Sequence, residues 1–273
     1  MNRIITMTTD FGLIDEYVGV MKGVILSTCP SVRIVDLTHN IGRHDILQAA
    51  YVIYSSYRYF PESTIHIIVV DPGVGSDRRI VLVRAKSHFF LAPDNGLLSL
   101  FILNKHIDVA YEVNCDHLFL KPLSNTFHGR DIFAPVAAQL AGDLKPEQVG
   151  CEIDPDKLVI LSMPEVEIDP AQGRITGIVL STDSFGNLMT NIHRENISKL
   201  LHNNEERSIS IRINERIIKG IRTSFAGSTP GTLMAIFGSR DFMEISINRG
   251  HAAKALKASP GDEIVFSLNE FYG

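Results

Sequence analysis

Tryptophan is absent from the 273-residue sequence, and cysteine occurs only three times. Cys29, Cys115 and Cys151 lie far apart in the chain, and no CxxC pair occurs. Neither a disulfide framework nor a thiolate zinc site is therefore supported. A reducing cytoplasm is the simplest setting for such a chain, and we expect a cytoplasmic protein.

Long hydrophobic runs and an excess of basic residues are also missing. No run reaches the roughly 18 apolar residues of a membrane span, and the segment MNRIITMTTDFG lacks the apolar core of a signal peptide. The formal net charge is −5, so the chain has no basic excess with which to neutralise phosphates. We expect neither a membrane nor a nucleic-acid partner.

Several common cofactor and catalytic motifs do not occur. HExxH, a P-loop and the GxSxG nucleophile elbow are absent. The glycine-containing GVGSDR at 73–78 lacks the third glycine of a dinucleotide fingerprint, and a strand pattern rather than a helix pattern follows it. We therefore expect no cofactor and no bound metal.

Hydrophobic periodicity divides the chain into two halves. Up to about residue 140, short apolar runs alternate with helical patterns, which predicts an α/β domain with a largely parallel sheet. Prolines crowd between Lys145 and Pro170, which indicates a connecting segment. From Gly173 onward, short apolar runs separated by glycines predict a mostly-β, barrel-like domain. We place the two domains at 1–165 and 166–273.

The stretch IHIIVVDPGVGSDRRI at 65–80 combines a predicted strand with charged residues. Ile65 to Val70 is a buried-strand pattern, and Asp71 and Pro72 end it. Arg78 then follows a turn made possible by two glycines. In open α/β sheets, ligands bind at the carboxyl ends of strands, so this is a candidate site. A polar turn with one surface ion pair is the simpler alternative.

Other polar clusters also fall at predicted strand ends. They are Asp10 with Asp15, Asp36 with His39 and His44-Asp45, and His128 with Arg130-Asp131. A metal hydrolase could be built from five of these groups, Asp10, Asp36, His39, Asp71 and His128, but the tight ligand spacings of such sites are absent. Each lone Asp or His is otherwise explained as a cap or turn residue.

Two segments of the second half carry recognition chemistry. The run DSFGNLMTNI at 183–192 offers the aromatic face of Phe185 and the amides of Asn187 and Asn191, which suit a heterocyclic base. The run GSRD at 238–241 offers a hydroxyl and a guanidinium, which suit a carboxylate. Turn formation explains both segments equally well.

Taken together, these motifs resemble a known family. TDFGLIDEYVGVMKGVI, DLTHNIGRHDILQAA, VVDPGVGSDRR, APDNGLLS, NTFHGRDIFAPVAAQLA and DSFGNLMTNI are similar to segments of the S-adenosylmethionine hydroxide adenosyltransferases, the adenosine-forming hydrolases related to fluorinase and chlorinase. The resemblance extends from Thr9 to the NRGHAAKAL segment near the end of the chain. It implies cleavage of S-adenosylmethionine by water to adenosine and L-methionine, and a homotrimer whose active sites lie between subunits.

The resemblance also implies roles for individual residues. Asp71, Arg78 and His128 match the catalytic Asp-Arg-His set. The implied substrate contacts are Asp10 for ribose, Asp15 near the methionine amine, Phe185 and Asn187 for adenine, Phe225 as a second aromatic wall, and Ser239 and Arg240 for the methionine carboxylate. Asp183 is offset by one residue from the corresponding halogenase aspartate near the amine.

Departures from the halogenases favour water as the nucleophile. Those enzymes carry a hydroxyl-bearing residue where this chain has Asp71, the fluorinase has serine where it has Gly129, and the tryptophan near the fluoride site is His44 here. A carboxylate beside the reacting carbon should repel halide. Chloride adenosyl transfer and non-catalytic binding of adenosine or S-adenosylmethionine stay open as alternatives. Either Asp71 or His128 could take the proton from water.

Overall fold

A computed structural model describes residues 3–142, 144–201 and 208–269 of the chain. The chain divides into two compact units, one ending at Ser162 and the other beginning at Met163. The first unit is an α/β structure and the second is a nearly closed β structure, which confirms the predicted fold class. Within the described ranges, no helix is long and apolar enough to cross a membrane.

The first unit is built on a seven-stranded sheet with the order β2-β1-β3-β5-β4-β6-β7. Its strands are β1 (Ile4–Thr9), β2 (Arg33–Thr38), β3 (Ile65–Val69), β4 (Ile80–Ala85), β5 (His88–Pro93), β6 (Ile107–Glu112) and β7 (Glu152–Ile153). The predicted parallel pairing occurs among β2, β1, β3 and β5. The β4–β5 hairpin, β6 and β7 add antiparallel pairs at the other edge.

Helices cover both faces of this sheet. They are α1 (Tyr17–Thr28), α2 (Ile46–Ser56), α3 (Ser99–Leu103) and α4 (Ala134–Ala141). Successive residues of a strand point to opposite faces, so Ile67 packs into the cluster with α1 and α4, whereas Ile68 packs into the cluster with α2 and α3. All five residues of β3 are buried, which explains why four of them are apolar, with His66 the exception. Asp71 follows the end of this central strand.

A side-chain cap sets the beginning of α2, whereas the start of α1 differs from its apolar pattern. Asp45 caps α2, because its side chain accepts a hydrogen bond of 2.8 Å from the backbone amide of Gln48. An apolar helical pattern in the sequence starts at Ile14, but α1 begins only at Tyr17, and Ile14 is 99% exposed. An apolar residue three positions before the first helical turn therefore belongs to the preceding loop rather than to the helix.

The second unit contains a nine-stranded sheet with the order β12-β11-β16-β9-β10-β15-β14-β13, and β8 pairs with β9. The strands are β8 (Glu167–Asp169), β9 (Arg174–Thr182), β10 (Leu188–His193), β11 (Ser208–Ile213), β12 (Arg216–Lys219), β13 (Ile221–Arg222), β14 (Leu233–Phe237), β15 (Phe242–Ile247) and β16 (Glu263–Asn269). Because β12 and β14 contact each other, the sheet nearly closes into a barrel. Helices α5 (Arg194–Leu201) and α6 (Ala252–Leu256) contact it.

The interior of this barrel is apolar, with Ile175, Ile211, Ile245 and Phe266 fully buried. Asn191 lies buried in β10, where its Oδ1 accepts from the amide of Ile178 at 2.8 Å and its Nδ2 donates to the carbonyl of Pro164 at 3.0 Å. The amide considered above for base recognition therefore satisfies backbone groups of the barrel instead.

Candidate active site

Asp71 and Arg78 form a nearly buried ion pair at the carboxyl end of β3. The chain leaves β3 at Asp71, makes a turn closed by a Val74 amide to Asp71 carbonyl bond of 3.2 Å, and returns at Arg78 just before β4. Arg78 Nε donates to Asp71 Oδ1 and Oδ2 at 2.9 and 2.8 Å, and its Nη2 also contacts Oδ2. The side chains are 10% and 4% exposed, respectively. Such charge-assisted, forked pairing fixes both groups in one orientation.

His128 joins this pair through its Nδ1 atom, which lies 2.9 Å from Arg78 Nη2. A guanidinium can only donate hydrogen bonds, so Nδ1 must accept and must be unprotonated. Burial lowers the pKa of His128, and the positive charge of Arg78 lowers it further, outweighing the opposite effects of Asp71 and Asp131. The ring is therefore neutral near pH 7 and carries its one proton on Nε2.

A short π-helical turn, Gly129–Phe133, places His128 beside the ion pair. The sequence pattern predicts only a polar loop here, because a π turn has no periodic signal of its own. Gly129 fits closely at the start of this turn, since a Cβ atom would lie 3.0 Å from Met21 Sδ and 3.2 Å from a ring carbon of Phe127, and these side chains would have to shift to admit it. Asp131 is fully buried and accepts from the Ser124 amide at 2.7 Å, which ties down the preceding loop.

A cavity of about 260 Å³ opens beside these residues, and Asp71 and His128 both line it. Asp10, which follows β1, lines it as well, and its Oδ2 accepts from the backbone amide of His44 at 2.9 Å. Arg43 adds a charged group to the wall, and Phe127 adds an aromatic ring. The cavity thus brings the ends of β1 and β3 together with the π turn, as expected for the carboxyl edge of an α/β sheet.

Asp36 and His39, the other two members of the hypothetical metal site, do not line this cavity. Asp36 contacts Lys22 at 2.6 Å and His39 Nε2 at 3.1 Å. Burial by itself would raise the pKa of Asp36, but hydrogen bonds and charge interactions with Lys22 and His39 lower it overall. Among the residues that the structure describes, no three His, Cys, Asp or Glu side chains are grouped to hold a metal ion. The absence of a metal from the function stays a prediction.

In the second unit, the loop between β9 and β10 is organised by Asp183. Its Oδ1 accepts from the amides of Phe185 and Asn187 at 2.9 and 2.8 Å, and its Oδ2 accepts from Asn187 Nδ2 at 2.9 Å. Gly186 has a φ of +86° and packs so tightly that a Cβ would meet the ring of His251 at 2.2 Å. Asp183 therefore shapes the loop and fixes the amide plane of Asn187.

Phe185, Asn187 and Phe225 line one cavity of about 440 Å³ in this unit. Phe185 is 76% exposed and Phe225 is 42% exposed, so both rings present open faces. Asn248 and Arg249, at the turn after β15, also line the cavity and escaped the sequence analysis. The NRG run at 248–250 after an alternating strand was their only signal, and it reads as an ordinary turn.

Ser239 and Arg240 lie in the tight turn between β14 and β15, closed by a Gly238 amide to Phe242 carbonyl bond of 3.0 Å. The neighbouring Glu244 is a further acid that the sequence analysis did not single out. Burial raises the pKa of Glu244, Arg240 lowers it, and Asp183 raises it, so these three charges interact. Asp15 stands apart from both cavities, exposed in the loop that precedes α1.

An α/β unit with a charged cavity at a strand end, followed by a β-barrel unit with an aromatic cavity, defines a two-domain protein with an enzyme-type site. The model of the SAM hydroxide adenosyltransferase N-terminal domain matches residues 5–150, and the model of the C-terminal domain matches residues 177–265. The chain belongs to this family, as the sequence motifs indicated.

Proteins with described activities are similar over most of the chain. The (R)-S-adenosyl-L-methionine hydrolase of Salinispora arenicola is 34% identical, covering 95% of this chain and 96% of its own. A fluorinase of an Actinoplanes species is 31% identical, over 72% of this chain and 74% of its own. Among solved structures, an uncharacterized conserved protein from Thermotoga maritima aligns with a TM-score of 0.88 and 35% identity, over 96% of this chain and 99% of that one.

Proposed function

We propose that this chain hydrolyses S-adenosyl-L-methionine at the ribose 5′ carbon and releases adenosine and L-methionine. The observation that carries the proposal is that Asp71 and His128, which are both hydrogen-bonded to Arg78, line a cavity together with Asp10. The hydrolase relatives, which match over nearly the full length, support the same activity.

The chemistry of a sulfonium substrate matches the groups in this cavity. Methionine leaves as a neutral thioether, so its departure requires neither a general acid nor a metal ion. The site must hold one water in line with the carbon–sulfur bond and keep other water away. Three oriented polar side chains in a confined, partly aromatic cavity suit that task.

The hydrogen-bond pattern gives the nucleophilic water two different neighbours. The carboxylate of Asp71 accepts from Arg78 but has lone pairs left for an O–H donor, because a carboxylate offers about four acceptor positions. The Nε2–H of His128 is a donor toward the water oxygen. Asp71 therefore takes the proton as the carbon–oxygen bond forms, and His128 orients the oxygen without acting as the base. Arg78 stabilises the charge that develops on this network.

The remaining predicted contacts are assigned to the rest of the substrate. Asp10 binds the ribose hydroxyls, and Phe185, Phe225 and Asn187 enclose the adenine. The α-amino and carboxylate groups of the methionine part are assigned to two sets of residues. Asp15 and Asp183 serve the amine, and Ser239 and Arg240 serve the carboxylate. No cofactor is needed, since S-adenosylmethionine is the substrate.

The sulfonium sulfur of the substrate is a stereocentre, and the relatives are named for its (R) configuration. We propose that this chain likewise prefers the (R) epimer. That preference would account for a hydrolase acting on a metabolite that the cell needs, because the other epimer would be spared. The family resemblance alone did not indicate this preference.

Chloride or fluoride transfer is the second candidate, and the fluorinase relatives are the observation that favours it. A halide ion can accept hydrogen bonds but cannot donate one. The carboxylate of Asp71 offers only acceptor positions, so it binds a water molecule better than a halide. Water is therefore the proposed nucleophile.

We further propose a cytoplasmic homotrimer with active sites shared between subunits. Exposed apolar side chains beside the charged cavity and in the aromatic cavity, Leu13 at 66%, Ile14 at 99% and Phe185 at 76%, support an association that covers them. The three cysteines form no disulfide with one another. Sedimentation of the wild-type chain and of Ile14→Asp measures the assembly; a monomeric wild type would contradict it.

The proposed activity is tested by chromatography of the products. The chain is incubated with each sulfonium epimer, with and without chloride, and with and without a chelator. We expect adenosine and methionine as the products in every case, with a higher rate for the (R) epimer. A 5′-chloroadenosine product would support the halide reaction instead, and ligand binding without turnover would indicate a binding protein.

The catalytic set is tested with a matched pair of arginine variants. Arg78→Ala should lower kcat by a factor of about 100 or more with a smaller change in KM, because its contacts organise the reacting groups. Arg84→Ala removes a mostly exposed arginine that pairs with Asp108 at 3.6 Å, and it should leave both constants unchanged. A loss in Arg78→Ala confined to KM would contradict the assigned role.

A further inference from the structure

Two features of the sequence are left without a role by the proposed reaction, namely Arg79 and the PDNG turn. The structure places them together. We use the name DNG turn for Asp94, Asn95 and Gly96, which follow β5 directly. Asp94 and Gly96 are buried, and Asn95 is partly buried. None of the three lines the charged cavity, yet Asn95 and Asp94 contact the residues next to Asp71 and Arg78.

Asn95 holds the backbone immediately before Asp71. Its Nδ2 donates to the carbonyl of Val70 at 2.9 Å. The parallel pairing of β3 with β5 ends at Ile67 and Leu91, so Val70 lies beyond the last strand partner on that side. The side-chain amide therefore takes the place of a backbone donor, and it fixes the peptide from which Asp71 extends.

Asp94 holds the backbone immediately after Arg78. Its Oδ2 accepts from Arg79 Nε and Nη2 at 2.9 and 2.6 Å, and its own amide donates to the carbonyl of Arg79 at 2.9 Å. The Asp94 side chain is 4% exposed and that of Arg79 is 32% exposed, so a buried carboxylate is held by a partly exposed guanidinium in a fixed, two-bond geometry. The residue next to Arg78 is thereby bound through both its backbone and its side chain.

The segment from Lys157 to Leu161 packs against the outer side of the same turn. Arg79 Nη2 donates to the Lys157 carbonyl at 2.7 Å, and Asp94 Oδ1 accepts from the Val159 amide at 2.8 Å. Gly96 has a φ of +99°, and a Cβ there would lie 2.4 Å from Leu161 Cγ. These contacts allow the DNG turn one position only.

We propose that Asn95 and the Arg79–Asp94 pair are positioning residues for the reaction. The eight residues from Asp71 to Arg78 leave the sheet and return to it, and the DNG turn clamps the chain at both ends of that excursion. Its hydrogen bonds set the distance and direction at which Asp71 and Arg78 meet each other and the water. The inference rests on the proposed hydrolysis, because positioning is measured as turnover.

Asn95→Asp tests this role with the least change of shape, although it places a carboxylate oxygen against the Val70 carbonyl. The replacement keeps the shape of the side chain but removes the donor to Val70, so kcat should fall about tenfold or more while KM stays within about twofold. Misplacement of reacting groups by less than an ångström is enough for such losses. Asn95→Ala, which also removes the bond, should show the same separation of kcat from KM.

Asn104→Ala is the matched control. Asn104 also donates from Nδ2 to a backbone carbonyl, that of Leu100 at 2.8 Å, but on the exposed end of α3. It should show unchanged kcat and KM. Thermal unfolding of all variants is measured in parallel, so that losses of stability are known independently.

The outcomes distinguish the positioning role from the proposed function. No turnover by the wild-type chain would refute the proposed function itself. Wild-type turnover with an unchanged kcat in both Asn95 variants would overturn the positioning role. Failure of both variants to fold would assign Asn95 to stability and would also overturn it.

Discussion

Replacing His128 by glutamine separates two roles that the sequence left open for this residue. If His128 only donates from Nε2–H and accepts at Nδ1 from Arg78, 2.9 Å away, a glutamine can supply both a donor and an acceptor. If His128 is the general base, glutamine cannot replace it, because an amide does not take up a proton at neutral pH. The bond to Arg78 predicts the first outcome.

The expected magnitudes differ enough to be measured. Glutamine keeps an acceptor for Arg78, so the bond that it replaces imperfectly is the neutral one from the Nε2–H to the water. Such a loss costs about 0.5–1.5 kcal/mol, which corresponds to a loss in kcat of about tenfold at most. Loss of a general base costs a factor of about 10² to 10⁴. We therefore expect His128→Gln to keep at least about a tenth of the wild-type kcat, and His128→Ala to lose considerably more.

The assay is initial-rate adenosine formation at saturating substrate, measured across the pH range. In the wild type, kcat should fall on the acid side when Nδ1 takes up a proton and can no longer accept from Arg78. Burial and the charge of Arg78 lower the pKa of His128, so this fall should lie below the ordinary imidazole value of 6.5. The His128→Gln variant should not show this fall in kcat at acid pH. Exposed His117, replaced by glutamine, serves as the control.

Equal losses in His128→Gln and His128→Ala, of a hundredfold or more, would refute the reasoning. The proton would then go to the imidazole, and the tautomer deduced from the Arg78 contact would not be the reacting one.

Three further predictions concern acid stability, a helix cap and base binding. Burial lowers the pKa of His66 to about 3, so stability is fully present above pH 6.5 and is lost as the pH falls toward 3; the free energy of unfolding should drop by about 2 kcal/mol from pH 7 to pH 5. Denaturant titration should show a smaller drop in His66→Gln, and equal drops would contradict the assignment. Asp45→Ala removes the cap bond to the Gln48 amide, which should cost about 1 kcal/mol and lower the Tm by about 2–4 °C; an unchanged Tm in calorimetry would count against it. Phe185→Ala should raise KM about tenfold at nearly constant kcat, because base stacking contributes about 1–3 kcal/mol. A change in kcat with unchanged KM would contradict the assignment of Phe185 to adenine binding.

Elements with strong apolar periodicity were predictable from the sequence. The pattern at Ile65 to Val70 corresponds to β3 at Ile65–Val69, and the two runs around Ala85–Ser87 form the β4–β5 hairpin. Burial on both faces of a central strand makes most of its residues apolar, and a hairpin brings its two runs together through a short turn. Such signals are local, so one sequence is enough to detect them.

Features that depend on distant contacts were not predictable in the same way. The contact of His128 with Arg78 spans 50 residues and requires a π turn that has no periodic pattern. The part played by Asn248 in the aromatic cavity depends on how the turn after β15 meets the loop that carries Phe185. No sequence pattern gives Arg79 a role, whereas the structure pairs it with the buried Asp94.

The buried Asp71–Arg78 pair is better explained by chemistry than by stability. Two well-packed apolar side chains would stabilise this strand end as well as a desolvated ion pair does, and often better. The charges of Asp71 and Arg78 cancel each other. Bulk water can therefore be excluded from their surroundings without leaving an unpaired charge there. Within it, the carboxylate and the Nε2–H of His128 still present separate acceptor and donor positions. In the proposed reaction a water molecule uses both positions and a halide could use only the donor, and a hydroxyl in place of Asp71 would weaken that distinction. The choice of nucleophile therefore rests on which atoms Arg78 leaves unoccupied.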